Sequence, residues 1–383
     1  MLNQYKEKMI AIVFLVFITA VGGKAIYNEY QYIKYNVNTF HYIDLIEDDS
    51  GIQSQFFQNF PKRKQLVDLN AKIRCVLGQR EMRGMLKLKN GHLIAPQEKL
   101  SDTYIHQQAK RVIRYSNYCK SQGKKFVFVQ PILKIDEYNK QLPAGTYDYS
   151  NENIDRFLTY LKQNGVEVMD IRSCMRSDGL DMYDYTYKTD HHWTIGAALY
   201  TSIQIEQWVG EATGVTAEPE VSSMASYQPI TYPNWHLGLY GQQTGQYFAG
   251  TDDFTYYEPT FYVSFMNING TASSFYEGAV NRTQYSAADY SSRSTYDNAL
   301  YLPSGTATTS KPMSIYVLSD SYAFPLPAYL KLAYSECNYG FCPEGFRESD
   351  ITKWNPDVVV LMPFYTSTFS DKIEYYPEGE ENK

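Results

Sequence analysis

Apolar residues along the chain follow two spacings, one typical of amphipathic helices and one typical of buried strands. Helical spacing is present over residues 53–80, 103–122, 154–163, 195–209 and 326–333. Short apolar runs suited to buried strands lie at 125–129, 166–170, 313–318 and 357–362. This alternation predicts an α/β fold with a parallel sheet flanked by helices, in which ligands bind at the carboxyl ends of the strands.

Two stretches depart from this alternation. Residues 84–94 alternate apolar and polar positions around Asn90-Gly91, which predicts a hairpin. Residues 214–309 are rich in Tyr, Ser, Thr, Gly and Asn and lack helical spacing. We interpret them as an insertion of strands and long loops between the two halves of the sheet, suited to substrate contacts. Its tyrosines could stack on sugar rings or pack within strands.

The N-terminus carries the pattern of an export signal. Lys6 and Lys8 precede an apolar run from Met9 to Val21, which is short beside the ~20 residues of a membrane span. A retained anchor is favoured over a cleaved signal or a buried helix, and it would place the remaining chain outside the cytoplasm. The predicted organisation is a signal or anchor at 1–28, a helical and hairpin segment at 29–100, the α/β domain at 101–375 and a disordered tail at 376–383.

Composition narrows the class of protein. With 383 residues, 44% of them hydrophobic, the chain can bury a substantial core, while a net charge of -7 argues against a nucleic-acid partner. The five cysteines form no disulfide framework; Cys337 and Cys342 could pair locally, but small buried residues are the favoured interpretation. Since no phosphate-binding loop or dinucleotide fingerprint is present, we predict no bound cofactor.

Three acid–base side chains stand together at Asp190, His191 and His192, directly before a helical pattern. They could form a catalytic dyad, a metal site, or a polar cap for the helix. A metal site is disfavoured, because adjacent side chains diverge whereas metal ligands must converge. The sequence therefore predicts no metal, and it leaves catalysis and capping open until a partner is found.

A partner follows the strand at 313–318. Ser321 stands at a strand-to-helix turn, where its hydroxyl would reach the carboxyl edge of the sheet and the backbone N–H groups of Ser321 and Tyr322 could bind an oxyanion. His192 would supply the base and Asp190 the group that orients it, which completes a Ser-His-Asp triad.

Two further residues are auxiliary candidates. Asp320 stands beside the nucleophile, and a turn hydrogen bond is its favoured role. Lys134, after the strand at 125–129, is a candidate anion contact, although a surface lysine is the favoured interpretation.

The segment from Tyr187 to Thr194, with its Asp-His-His-Trp block, resembles the signature of the bacterial DHHW proteins, relatives of the alginate O-acetylation proteins AlgJ and AlgX in the SGNH hydrolase superfamily. Ser319 to Ala323 is similar to the family's G-D-S-Y/F nucleophile block. The resemblance implies an SGNH hydrolase-like domain with permuted motif order. Carried onto this chain, it makes Ser321 the nucleophile, His192 the base and Asp190 the orienting acid. Ser319 replaces the usual glycine, where a Cβ would be expected to narrow the turn.

Two functions are weighed on this basis. The first is an extracytoplasmic O-acyltransferase or esterase that acts on a cell-surface or secreted polysaccharide. The resemblance implies that the acyl group is acetyl. Its implied partners are the polysaccharide acceptor, a membrane-bound O-acyltransferase as acyl donor, and the membrane through the N-terminal segment. The alternative is a non-catalytic envelope scaffold or glycan-binding protein, motivated by Ser319 and by the Tyr-rich insertion.

Overall fold

The computed structural model describes residues 63–267, 270–280 and 300–379, together with nine positions between 12 and 27. Most of the predicted N-terminal anchor therefore lies outside the described residues. Among the residues that are described, no helix combines the length and apolar content needed to cross a membrane. The chain divides into two compact units, residues 1–78 and 79–383.

The strands and helices are numbered here in chain order. The strands are β1 Glu81–Met82, β2 Met85–Lys87, β3 Leu93–Ile94, β4 Lys125–Gln130, β5 Val168–Asp170, β6 Tyr227–His236, β7 Asp252–Pro259, β8 Phe265–Asn267, β9 Gly270–Ala272, β10 Thr306–Ala307, β11 Lys311–Ser319, β12 Tyr334–Phe341, β13 Phe346–Arg347, β14 Val358–Met362 and β15 Tyr375–Tyr376. The α-helices are α1 Arg63–Val76, α2 Asp102–Ser121, α3 Ser150–Gln163, α4 Ile171–Ser177, α5 Ile195–Thr213, α6 Leu239–Thr244, α7 Gln246–Ala249, α8 Phe275–Ala279, α9 Leu326–Ala333, α10 Glu348–Trp354 and α11 Tyr365–Thr368. Helix α1 belongs to the first unit, and the elements that follow it belong to the second.

A five-stranded parallel sheet forms the centre of the second unit, in the order β12-β11-β14-β4-β5. Every residue of β14 is buried, because an interior parallel strand is covered on both faces. Helix α2 packs against α3 and α10, and α9 packs against α5. The predicted α/β fold with a parallel sheet flanked by helices is confirmed.

The insertion contains the antiparallel ribbon β6–β7, whose register shifts between Tyr232 and His236. Asn234 adopts a positive φ of 50° within this bulge. Residues 214–309 contain the strands and loops expected there and, in addition, the short helices α6, α7 and α8, which the sequence did not predict. Each spans six residues or fewer, too few to show helical spacing in the sequence.

Two smaller predictions concern the C-terminal part of the chain. Tyr376, placed at the start of the disordered tail, instead pairs with Arg347 in the two-stranded sheet of β13 and β15. The suggested local bridge between Cys337 and Cys342 does not form: both are buried free thiols, as the alternative interpretation predicted.

Helix α5 carries a buried acid, Glu206, whose Oε2 accepts a hydrogen bond from Ser222 Oγ at 2.6 Å. Its Oε1 has no hydrogen-bond partner among the described residues. Burial raises the pKa of Glu206 to about 8, although the Ser222 hydrogen bond opposes this shift. The folded chain therefore keeps this proton at pH values where the unfolded chain has lost it.

This pKa shift predicts that stability falls as pH rises from about 4.5 to about 8, because the unfolded state releases the Glu206 proton first. Glu206→Gln should flatten that part of the profile and raise the free energy of unfolding at pH 8 by about 1–3 kcal/mol. Urea unfolding at pH 5, 6.5 and 8 measures this. Glu211→Gln, an exposed position on the same helix, is the matched control. Equal pH slopes in wild type and Glu206→Gln would contradict the prediction.

Candidate active site

Ser321 lies where β11 leaves the carboxyl edge of the sheet, at the start of a 3-10 turn from Ser321 to Ala323. The preceding Asp320 fixes this turn. Its Oδ1 accepts from the N–H of Tyr322 at 3.0 Å and its Oδ2 from the N–H of Phe364 at 2.9 Å. The Tyr339 hydroxyl donates to the Asp320 carbonyl at 2.5 Å. Asp320 thus has the turn role favoured from the sequence, and it ties the serine to the segments after β14 and within β12.

Ser319, which stands where the family has glycine, is accommodated as ordinary strand. It pairs with Phe341 on one side and Met362 on the other, and it does not adopt a positive φ. Its buried hydroxyl donates to the Met362 carbonyl. The backbone at this position therefore does not require glycine, and the narrowing of the turn by the Ser319 Cβ stays a prediction.

Asp190, His191 and His192 stand on a short loop closed by the antiparallel bridge between Thr186 and Trp193. The Thr194 Oγ1 accepts from the N–H of Ala197 and caps α5. The residue that caps α5 is therefore Thr194, and not one of the three acid–base residues for which a capping role was considered. This leaves the acid–base side chains before it available for other contacts.

The loop brings His192 to the serine across 129 residues of sequence. His192 Nε2 lies 3.2 Å from Ser321 Oγ, and His192 Nδ1 lies 3.1 Å from Asp190 Oδ1. His192 and Asp190 are buried, and the His192 ring lies near Tyr322 at 5.8 Å between centroids. The structure thus brings the three residues predicted as a triad into one hydrogen-bonded chain; their catalytic role stays a prediction.

Asp190 has two further imidazole neighbours that the sequence did not assign. His236 Nε2 lies 3.2 Å from Asp190 Oδ2, and His191 Nδ1 lies 2.9 Å from Asp190 Oδ1 but lacks hydrogen-bond geometry. Burial alone would raise the pKa of Asp190, but its contacts with His191, His192 and His236 outweigh burial and hold that pKa well below its usual range. The carboxylate is therefore ionised at neutral pH.

The inserted ribbon holds the loop on its other side. Asp252 Oδ1 accepts from the N–H of Lys188, and its Oδ2 accepts from the N–H and hydroxyl of Thr189, each within 2.8 Å. The N–H of Gly238 donates to Thr189 Oγ1 at 2.9 Å. A Cβ added to Gly238 would lie 2.2 Å from Asp190 Cβ, so only glycine fits there without displacing the acid.

These contacts were not predictable from motif spacing. His236 lies 46 residues after Asp190, and no local signal in the sequence marks it as a partner. Only its position in a Gly- and aromatic-rich stretch sets it apart from other histidines.

One ligand atom each from Asp190, His191 and His192 lies within 4.8 Å of the others, a spacing that could hold a metal ion. The three side chains therefore converge, and the expectation that adjacent side chains diverge is wrong here. However, a metal on His192 Nδ1 would replace the N–H that faces Asp190. The same atoms can serve a metal or the chain to Ser321, but not both at once.

Two predicted auxiliary contacts differ in the structure. The N–H of Tyr322 donates to Asp320, which argues against its predicted oxyanion role; the role of the Ser321 N–H stays a prediction. Lys134 is buried, so the surface interpretation is wrong. Its Nζ donates to the Tyr187 carbonyl at the base of the loop, and burial lowers its pKa to about 8 against the opposing charges of Asp252 and Asp190.

A polar cavity of about 450 Å³ borders the same loop. Thr186, Lys188 and Thr194 line it from the loop side, and Thr255 and Tyr257 line it from β7. Hydroxyl, carboxylate and aromatic groups of this kind are able to bind the hydroxyls and faces of sugars.

A parallel α/β sheet that carries a Ser-His-Asp hydrogen-bonded chain at its carboxyl edge is compatible with an SGNH hydrolase-like domain and with other α/β serine hydrolases. Residues 91–223 match the family model described as "SGNH hydrolase-like domain, acetyltransferase AlgX". Over these residues the chain therefore carries an SGNH hydrolase-like domain of the AlgX type, as the resemblance predicted. No curated protein matches the chain significantly.

Solved structures share this fold. PatB1 of Bacillus cereus has 20% sequence identity and a TM-score of 0.58, over 75% of this chain and 98% of PatB1. PatB1 with a sulfonyl adduct matches similarly, with 19% identity and a TM-score of 0.58, over 76% of this chain and 98% of that one. A DHHW family protein from Eubacterium siraeum has 14% identity and a TM-score of 0.52, over 76% of this chain and 94% of its own.

Proposed function

We propose that this protein is an extracytoplasmic O-acyltransferase or carbohydrate esterase that forms an acyl ester on Ser321. The observation that carries the proposal is the chain from Ser321 Oγ through His192 to Asp190, with contacts of 3.2 and 3.1 Å. A serine hydroxyl is a weak nucleophile until a base accepts its proton, and His192 Nε2 is within reach to do so.

In the first half-reaction, Ser321 Oγ attacks the carbonyl carbon of the acyl donor while His192 Nε2 takes the hydroxyl proton. The bond from the acyl carbon to the donor oxygen then breaks, and His192 returns the proton to that leaving oxygen. Asp190 holds the Nδ1–H tautomer of His192 and stabilises the imidazolium. In the second half-reaction, a sugar hydroxyl or water gives its proton to His192 and attacks the Ser321 ester, and Ser321 recovers its proton.

The acyl group and the acceptor rest on independent support. The matched family model is described as an acetyltransferase, which favours acetyl. For the acceptor we propose a cell-surface or secreted polysaccharide, whose hydroxyls would suit the polar cavity beside the Asp190 loop, although neither Ser321 nor His192 lines that cavity. A membrane-bound O-acyltransferase as donor and an N-terminal membrane anchor complete the proposal.

Two assays on the purified chain test this function. Wild type should hydrolyse a chromogenic acetate ester, and phenylmethylsulfonyl fluoride should stop turnover and leave one adduct, located on Ser321 by peptide mass analysis. The choice of reagent follows the sulfonyl adduct on the structurally similar PatB1. Folded protein with neither turnover nor adduct at any pH from 6 to 9 would refute the enzyme and favour a non-catalytic glycan-binding protein.

A third assay separates transfer from hydrolysis. Adding oligosaccharide acceptors should divert acetyl groups from water to sugar, and mass analysis of the oligosaccharides detects each added acetyl. A transferase gives acetylated sugar and less free acetate, because the positioned hydroxyl reacts before water does. An esterase gives free acetate whatever acceptor is present.

A substitution at Gly238 tests the placement of the acid. Gly238→Ala should lower kcat for the acetate ester about 100-fold, because the new Cβ would displace Asp190 from His192. Gly210→Ala is the matched control, since its Cβ would meet Thr216 at an ordinary 3.5 Å. Steady-state kinetics with thermal unfolding of each variant provide the measurement. Wild-type kcat in Gly238→Ala would show that the site tolerates a shifted acid.

A further inference from the structure

His236 ends β6 directly after the bulge in the ribbon. The positive φ of Asn234 and the bond from its N–H to Asp253 Oδ1, at 2.7 Å, fix the bulge. Bulges redirect side chains and are frequent beside active sites. Here the His236 side chain is buried beneath the loop, with its ring 4.6 Å from that of Tyr187 and 5.7 Å from that of Phe254.

The two oxygens of Asp190 are held from different sides. Oδ1 accepts from the N–H groups of His191 and His192, at 2.6 and 3.4 Å, and lies 3.1 Å from His192 Nδ1, whereas Oδ2 lies 3.2 Å from His236 Nε2. A carboxylate held at one oxygen alone can rotate about its χ2 torsion, whose preferences are broad. A donor at the other oxygen, Oδ2, adds to the restraint at Oδ1, limits this rotation and keeps Oδ1 directed at His192. For His236 to donate, its Nε2 must carry a proton.

We propose that His236 is a positioning residue that fixes the Asp190 carboxylate for its contact with His192, an inference that rests on the proposed function. Two neighbours assist it: Gly238, two residues after β6, leaves room for the acid, and Asp252, the first residue of β7, holds the backbone before the acid. The ribbon of the insertion is therefore part of the catalytic support. His236 itself acts through Asp190 and touches neither substrate nor Ser321.

Two substitutions at this position separate positioning from packing. His236→Leu should lower kcat for the acetate ester roughly 10- to 100-fold at unchanged KM, and it should slow sulfonylation of Ser321 by the same factor. His236→Gln, whose amide N–H can approach the position of Nε2, should recover kcat to within about 3-fold of wild type. Rates are expressed per folded site, counted by titration with the sulfonyl reagent. His106→Leu on α2, a half-buried imidazole stacked on Tyr160, is the matched control.

A merely structural role would give a different pattern. It would lower Tm and the fraction of folded protein, with kcat per folded site unchanged and no advantage of glutamine over leucine. If wild type is active, the proposal is overturned by an unchanged kcat per folded site in His236→Leu, or by equal kcat values for His236→Gln and His236→Leu.

Histidine NMR on nitrogen-15-labelled protein tests the same contact without turnover. At pH 8 we expect His236 to be protonated at Nε2 and His192 at Nδ1, with the His192 Nδ1–H signal shifted in His236→Leu and retained in His236→Gln. An unprotonated His236 Nε2, or a His192 signal that ignores both substitutions, overturns the inference. If wild type neither hydrolyses esters nor reacts with the sulfonyl reagent, the proposed function fails, and NMR still decides whether His236 holds Asp190.

Discussion

Replacement of Ser321 by alanine is expected to lower kcat for acetate ester hydrolysis by about 10⁴- to 10⁶-fold and to abolish the sulfonyl adduct. The Ser321 hydroxyl lies 3.2 Å from His192 Nε2 at the carboxyl edge of β11, and its loss removes the atom that would carry the acyl group. His192→Ala should give a loss of similar size. Because the serine and its base act as a unit, the double variant should be little worse than either single variant.

Ser202→Ala is the matched control for this experiment. Ser202 is a buried serine of α5 whose hydroxyl donates to the Leu199 carbonyl of its own helix. The kcat of the Ser202→Ala variant should stay close to that of wild type. Acetate release by Ser321→Ala at more than a few percent of the wild-type rate would mean that another nucleophile, or water directly, attacks the ester.

Asp190→Asn is expected to lower kcat about 10⁴-fold while KM changes little. The carboxylate accepts from His192 and His236 on separate oxygens, whereas the amide offers only one acceptor oxygen and an NH₂ group that would face an imidazole. His192 would then be driven towards the tautomer with its proton on Nε2, which cannot take the serine proton.

Glu211→Gln, a change from carboxylate to amide at an exposed position on α5, provides the matched control. Since the pKa of Asp190 is held well below its usual range, Asp190 should remain ionised across an assay from pH 6 to 9. A pH-independent loss in Asp190→Asn is expected over that range. A variant that regains full activity at high pH would show that the carboxylate only tunes the protonation of His192.

The strands of the central sheet were predictable where both of their faces are buried, because such strands need apolar residues at successive positions. All five residues of β14 are buried, and the apolar run at 357–362 predicts that strand to within one residue of its bounds. Strand β12 was missed because it pairs with β11 alone, at the edge of the sheet. An edge strand tolerates polar residues, so Glu336 and Asn338 interrupt its apolar pattern.

The site divides in the same way between local and long-range information. Ser321 after a buried strand, and Asp190 with His192 before a capped helix, are local patterns, and the structure brings these three side chains together. His236 could not be predicted, because its contact depends on a bulge created by one residue with a left-handed backbone, Asn234. The burial of Lys134 was not predictable for a related reason. Its ammonium group donates to the carbonyl of Tyr187, which lies 53 residues away in the sequence.

The ribbon β6–β7 has a consequence for changing the acceptor specificity of such proteins. Loops inserted into an α/β fold are the usual modules to exchange when a new substrate is wanted. Here the module that would be exchanged also contains His236, Gly238 and Asp252, which contact the Asp190 loop. A graft that replaced the whole insertion would change acceptor recognition, and it would also remove the contacts that position Asp190. Useful chimeras should therefore keep residues 234–253, which include the bulge at Asn234 and its partner Asp253, and vary only the segments outside them.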